Sequence, residues 1–221
     1  MKKSLILLVS LFSISLLQAQ ELKNHLDSLS YAVGVLWGQN IKQQGMTDID
    51  PVVVGRAIGD VLKGNENLLN MQTANQMMRE HIESKKAVEK SRNMAEGELF
   101  LSENGKRKGV TTLPSGLQYE VLKAGDGPKP QSSDRVKVHY EGRLIDGSVF
   151  DSSVQRGEPA VFGVTQVIKG WIEALQLMPV GSKWKLFIPS SLAYGERGAG
   201  GMIGPYATLI FEVELLGIED K

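Results

Sequence analysis

Ala207-Thr-Leu-Ile-Phe-Glu-Val-Glu-Leu-Leu216 places Leu209, Phe211, Val213 and Leu215 on every second position, alternating with residues such as Glu212 and Glu214. Period two is the side-chain repeat of a strand, so this run reads as a β-strand with one face in a core. The same alternation recurs in Leu117, Tyr119 and Val121, in Val136, Val138 and Tyr140, and in Trp184, Leu186 and Ile188. Asp146-Gly147 falls where two strands must turn back, and glycine accepts the positive φ of a tight hairpin. One short helix interrupts the strands: Ile168, Trp171, Leu175 and Met178 share a face, and Pro179 ends it. A half-covered antiparallel sheet wrapped on a single short helix is an α+β arrangement.

Upstream the period changes. Leu26, Leu29, Val33, Leu36 and Trp37 recur at three- and four-residue spacing, the stripe of an amphipathic helix ending near Gly45. Asp50-Pro51 is an N-cap and first-turn pair for a second helix, with Val54, Ile58, Val61 and Leu62 on its stripe and Gly64 as its stop. Asn70 caps a third, carrying Met71, Ala74, Met77, Met78 and Ile82. If that helix runs to about Glu103 it spans roughly 50 Å at 1.5 Å per residue. Its stretch from Glu83 to Asn93 is mostly charged or polar, which predicts a helix that crosses solvent between two bodies. Asn104 to Gly116, rich in glycine and basic residues, is the expected boundary and reads as a solvated connector.

The chain has 221 residues, with Lys+Arg and Asp+Glu both at 25, so no bulk charge attracts nucleic acid or an anionic membrane. Lys2 and Lys3 precede the apolar run from Leu5 to Leu17, which ends in Leu-Gln-Ala-Gln. That pattern predicts a secretory signal peptide cleaved near Ala19, the run being shorter than the ~20 apolar residues of a span. With no cysteine, disulfides and lipidation at the cleavage site are excluded. His25, His81 and His139 are scattered and form no metal-ligand cluster. The expected product is exported, with a Gram-negative periplasm the best fit and outer-membrane association open.

Four stretches remain to be explained together: Gly147-Ser-Val-Phe-Asp-Ser-Ser153, Gln166-Val-Ile-Lys-Gly-Trp171, Leu192-Ala-Tyr-Gly195 and Ala207 to Leu216. Taken singly, their aromatics read as ordinary core and Asp151 as a turn residue. In this order and spacing they resemble the FKBP-type peptidyl-prolyl cis-trans isomerase domain, from near Leu113 to the end. The resemblance implies a cofactor-free isomerase acting on X-Pro bonds of unfolded or nascent exported polypeptides. It places Tyr140, Asp151, Ile168, Trp171 and Tyr194 in the catalytic set. Phe150, Arg156, Phe162, Val167, Ile203 and Phe211 would contact substrate. Trp171 would be the pocket floor, and Tyr194 and the Ile168 N–H donors to a bound carbonyl. Asp151, held by Arg156 and the Tyr140 hydroxyl, would polarise and orient. His139 is read as structural.

Two positions depart from the pattern. Ala160 stands where single-domain relatives carry Phe and Ala199 where many carry His, so one wall and the Gly-rich loop from Glu196 to Gly204 are expected to be open. Macrolide inhibitors are expected ligands, their affinity depending on those two positions. Signal peptide, helical module, long solvated helix and isomerase domain resemble the exported macrophage infectivity potentiator and FkpA group. That likeness implies a homodimer through the N-terminal helices, with Val33, Leu36 and Trp37 at the seam and Met71, Met77 and Met78 on adaptable surface. The expected division is residues 1–19 as signal peptide, 20–112 as dimerisation module and linking helix, and 113–221 as isomerase domain. The opposing functional class is a non-enzymatic holdase that uses the domain only to bind peptide.

Overall fold

The computed structural model describes residues 22–219; the expected signal peptide lies outside them. The chain divides into a unit ending at Thr47 and a second beginning at Asp48. The first holds helix α1, His25–Gln43, started by the Asn24 side chain accepting from the Asp27 N–H at 2.9 Å. No residue of α1 is buried, and Leu26, Leu29, Val33, Leu36 and Trp37 all face solvent. No described helix is long and apolar enough to cross a membrane.

The second unit opens with α2, Pro51–Lys63, and α3, Met71–Asn104. Asp50 accepts from the Val52 N–H at 2.8 Å with Pro51 in the first turn, and Gly64 stops α2 in the left-handed region at φ +69°. Asn70 accepts from the Thr73 N–H at 2.8 Å, as a cap should. Val61, Leu62, Met71, Met77 and Met78 are exposed.

Seven strands follow: β1 Val110–Thr112, β2 Gln118–Lys123, β3 Arg135–Leu144, β4 Val149–Ser152, β5 Ala160–Gly163, β6 Lys183–Ile188 and β7 Leu209–Glu219. They form one antiparallel sheet ordered β1-β2-β6-β7-β3-β4, with β5 sharing the outer edge of β3. Between β3 and β4, Gly147 turns the hairpin at φ +89°, and the Leu144 N–H reaches the Ser148 carbonyl at 2.9 Å. Helix α5, Lys169–Leu175, lies on one face; α4, Ser153–Arg156, is a single turn. The alternating residues of the sheet meet α5 in one core, where Val136, Val138, Leu186, Leu209, Val213 and Leu215 join Trp171, Ala174 and Leu175.

Three local expectations change. Helix α5 stops at Leu175, before Pro179, because the Leu177 and Met178 N–H groups both fold back to the Ala174 carbonyl. The turn α4 gives no periodic signal, since four residues are one turn. The third difference is the end of α3, which does not stay in solvent. Gly97 and Asn104 are buried; Asn104 donates to Gln118 Oε1 and the Gln118 amide donates to the Leu101 carbonyl, both at 2.8 Å. The segment after it contributes β1, and its Arg107 pairs with Glu120 at 3.0 Å rather than lying free. Phe100 meets the buried Phe187 at 6.0 Å between ring centroids, but the rest of the joint is polar side chains and a glycine, so no apolar stripe announces it.

Candidate functional site

Strand β3 brings Tyr140 to the inner face of the sheet, and β7 brings Phe211 beside it. Gly142, two residues on from Tyr140, leaves room for rings: a Cβ there would lie 2.5 Å from Phe150 and 2.7 Å from Phe211. Phe150 consequently meets Phe211 edge-on at 5.4 Å between centroids. Helix α5 presents Trp171, 3% exposed, at the centre of the group. Its ring takes T-shaped contacts from Tyr140 at 5.3 Å, Phe211 at 5.2 Å and Phe162 at 5.9 Å. Edge-on packing sets the positive rim of one ring against the negative face of another and fixes each ring's tilt.

Above these rings lies an open cavity of about 550 Å³. Every expected site residue except Arg156 borders it: the rings, Asp151, Val167, Ile168, Tyr194 and Ile203. Arg156, on α4, stands behind Asp151. Its guanidinium donates to Asp151 Oδ1 and, at 2.9 Å, to the Tyr140 hydroxyl, which itself donates to Asp151 Oδ2. Burial pulls the Asp151 pKa up, but the hydrogen bonds from Tyr140 and Arg156 and the arginine charge outweigh it and hold the carboxyl below its ordinary value. Burial, then the bond to Asp151, raises Tyr140. Tyr194 is raised by burial and next by the Asp151 charge, so its hydroxyl stays a proton donor at neutral pH.

Two further donors belong to residues that border the cavity. The Trp171 Nε1–H is buried and meets no acceptor among the described residues. Ile168 is the N-cap of α5: its carbonyl accepts from the Trp171 and Ile172 N–H groups, and its own N–H enters no backbone hydrogen bond among the described residues. His139 stands outside the cavity, its Nδ1 3.1 Å from the buried Ser153 hydroxyl. Sequence reasoning gives Gln166, Gly200 and Met202 no site role, yet all three border the cavity. Loop residues turn inward through backbone angles that period-two and helical patterns do not report. Apolar walls, a neutralised carboxylate and a few donors equip the site to hold and orient an amide.

Residues 127–216 match the family profile of the FKBP-type peptidyl-prolyl cis-trans isomerase. Residues 26–121 match that of the domain amino-terminal to it. The FKBP-type 22 kDa peptidyl-prolyl cis-trans isomerase of Escherichia coli is 50% identical over 192 residues, covering 86% of this chain and 93% of that protein. The chain belongs to the FKBP-type peptidyl-prolyl cis-trans isomerases. This FKBP-type isomerase is also 44% identical to the outer membrane protein MIP of Legionella longbeachae, over 91% of the chain and 89% of that relative. The crystal structure of FkpA from Escherichia coli matches with a TM-score of 0.65 and 35% identity, covering 90% of this isomerase and 99% of that chain.

Proposed function

We propose that the isomerase seats the proline ring of an X-Pro substrate on Trp171, between Tyr140, Phe162 and Phe211, and twists the preceding amide. The observation that carries this is the cage of edge-on rings beneath an apolar cavity whose one bordering carboxylate is already paired. Uncatalysed rotation must break amide resonance, a barrier of about 18–20 kcal/mol, and takes tens to hundreds of seconds. The planar amide is the more charge-separated form, so an apolar site disfavours it relative to the twisted one. No covalent bond is made or broken in this step. The Tyr194 hydroxyl and Ile168 N–H hold the substrate carbonyl, Asp151 orients the site through Tyr140 and Arg156, and Val167, Phe150 and Ile203 shield it from water. Each tenfold of rate needs only about 1.4 kcal/mol. A macrolide inhibitor is a further proposed ligand, its affinity depending on Ala199, which borders the cavity, and on Ala160, which does not.

Exported, proline-limited polypeptides are the proposed clients, and the periplasm the proposed compartment, with the outer membrane a second location. The Lys2-Lys3 and Leu5–Leu17 pattern supports export, as do the names of relatives called FkpA and outer membrane protein MIP. We assign residues 20–112 to a dimerisation module and its linking helix, the last three joining the sheet as β1, and 113–221 to the isomerase domain. The apolar stripe of α1, exposed on a single chain, supports a homodimer, since contiguous exposed apolar surface marks an interaction site. Two tethered pockets would add avidity for one unfolded chain. Refolding of a protein with a proline-limited slow phase tests the function against the holdase reading. The isomerase speeds that phase at substoichiometric concentration; suppression of aggregation with no acceleration would overturn the proposal.

A further inference from the structure

One wall of the cavity is the loop from Tyr194 to Thr208, which carries Tyr194, Ala199, Met202 and Ile203. Gly195, Gly198, Gly200, Gly201 and Gly204 leave it little intrinsic stiffness. Within itself the loop is closed by an exchange between Ala199 and Ile203, at 2.9 and 3.0 Å, and by the Tyr206 N–H on the Gly195 carbonyl at 2.8 Å. Tyr206 sits at φ +57°, a left-handed conformation that a tyrosine adopts only when its surroundings dictate it.

Those surroundings are α3. Asn93 Nδ2 donates at 2.8 Å to the carbonyl of Pro205, the peptide that enters Tyr206. Lys90 Nζ lies 4.8 Å from the centre of the Tyr206 ring and 3.5 Å from Glu196. Approach is close on both sides: a Cβ on Gly97 would fall 2.4 Å from Thr208 Oγ1, and one on Gly204 2.2 Å from Glu89 Oε1. Glu89, Asn93 and Gly97 stand four residues apart, one face of a helix. Met202 borders the catalytic cavity on one side and, on the other, a cleft of about 240 Å³ that Asn93 and Glu96 also border. The loop is therefore a thin wall with the pocket in front and α3 behind.

We infer that Asn93, assisted by Lys90, is a positioning residue for isomerisation: through the Pro205 carbonyl it sets the loop that walls the proline pocket. The linking helix is thereby part of the site. This rests on the pocket assignment above. Asn93→Asp keeps the shape of the side chain and removes the donor. In the full chain, the Ala199, Ile203 and Tyr206 amides should exchange hydrogen faster by about two- to tenfold, the range of one net hydrogen bond. kcat/KM on X-Pro tetrapeptides should fall by a similar factor, unequally across peptides that differ before proline, with the thermal midpoint little changed. Lys90→Met, at an exposed position, should act in the same direction and less. Unchanged loop exchange in both variants, or faster exchange with every kcat/KM unchanged, would overturn the inference. Asp151→Leu run alongside separates the two ideas. Activity retained in a folded Asp151→Leu protein would sink the pocket assignment, and the positioning with it. Activity lost in Asp151→Leu with every kcat/KM unchanged in Asn93→Asp would sink the positioning alone.

Discussion

Replacing Tyr140 by Phe removes one hydroxyl and keeps the ring that packs on Trp171 and Phe162 at 5.3 and 5.9 Å. Two hydrogen bonds disappear, the one donated to Asp151 and the one accepted from Arg156. A bond to a charged partner is worth about 1.5–3 kcal/mol when shielded. The Asp151 and Arg156 side chains are 42% and 47% exposed and keep each other, so water replaces much of the loss and about 1 kcal/mol remains. The sign with pH follows from the carboxyl. Its folded pKa is depressed, so its contribution is present above the unfolded value and is lost as pH falls through the folded one. Without the Tyr140 hydroxyl the depression shrinks. The variant should be less stable at neutral pH, and the gap to wild type should narrow below about pH 4. Urea unfolding across this range, with the Asp151 carboxyl titrated by NMR, measures both. Equal stability at neutral pH together with an unmoved Asp151 titration would refute the reasoning.

Trp171→Ala should cost about 3 kcal/mol or more in urea unfolding, because the indole is 3% exposed and touches three rings. A loss below about 1 kcal/mol would mean the ring cage is not packed as described. Cutting the chain before residue 85 should give a monomer that still isomerises short peptides and acts more weakly on unfolded proteins, read by sedimentation and the two assays. Cutting before residue 106 also removes Leu101 and Asn104, leaving Gln118 without both partners, and should lower stability by about 2 kcal/mol more. Equal stability of the two fragments would show that the end of α3 does not brace the sheet.

Much of this was legible because it rests on periodicity and on side chains that must be satisfied. The strands alternate as Val136, Val138 and Tyr140 do, and the caps Asn70 and Asp50 with the stop Gly64 bound their helices. Tyr140, Asp151 and Arg156 were readable as a set only through the family resemblance, since alone Asp151 reads as a turn residue; the resemblance is consistent with the need of a carboxylate at an apolar pocket for a cation or a donor. What escaped lies where neither signal exists. The face of α3 that docks on the loop and the sheet is Glu89, Asn93, Gly97, Leu101 and Asn104, mostly polar, with Phe100 as its one aromatic contact, and polarity alone reads as solvent exposure. Gln166 and Gly200 reach the cavity through loop geometry that depends on backbone angles and not on residue type. The end of α5 at Leu175 is set by two N–H groups sharing the Ala174 carbonyl, a choice made four residues before Pro179.

The most direct test compares cis-trans isomerisation of an X-Pro tetrapeptide by residues 20–221 with that by the Asp151→Leu variant. Leucine leaves Tyr140 and Arg156 without their shared acceptor, so the folded variant should lose about tenfold or more in kcat/KM, a change of about 1.4 kcal/mol in transition-state binding. A folded Asp151→Leu protein with wild-type turnover would contradict the assignment of catalysis to this pocket.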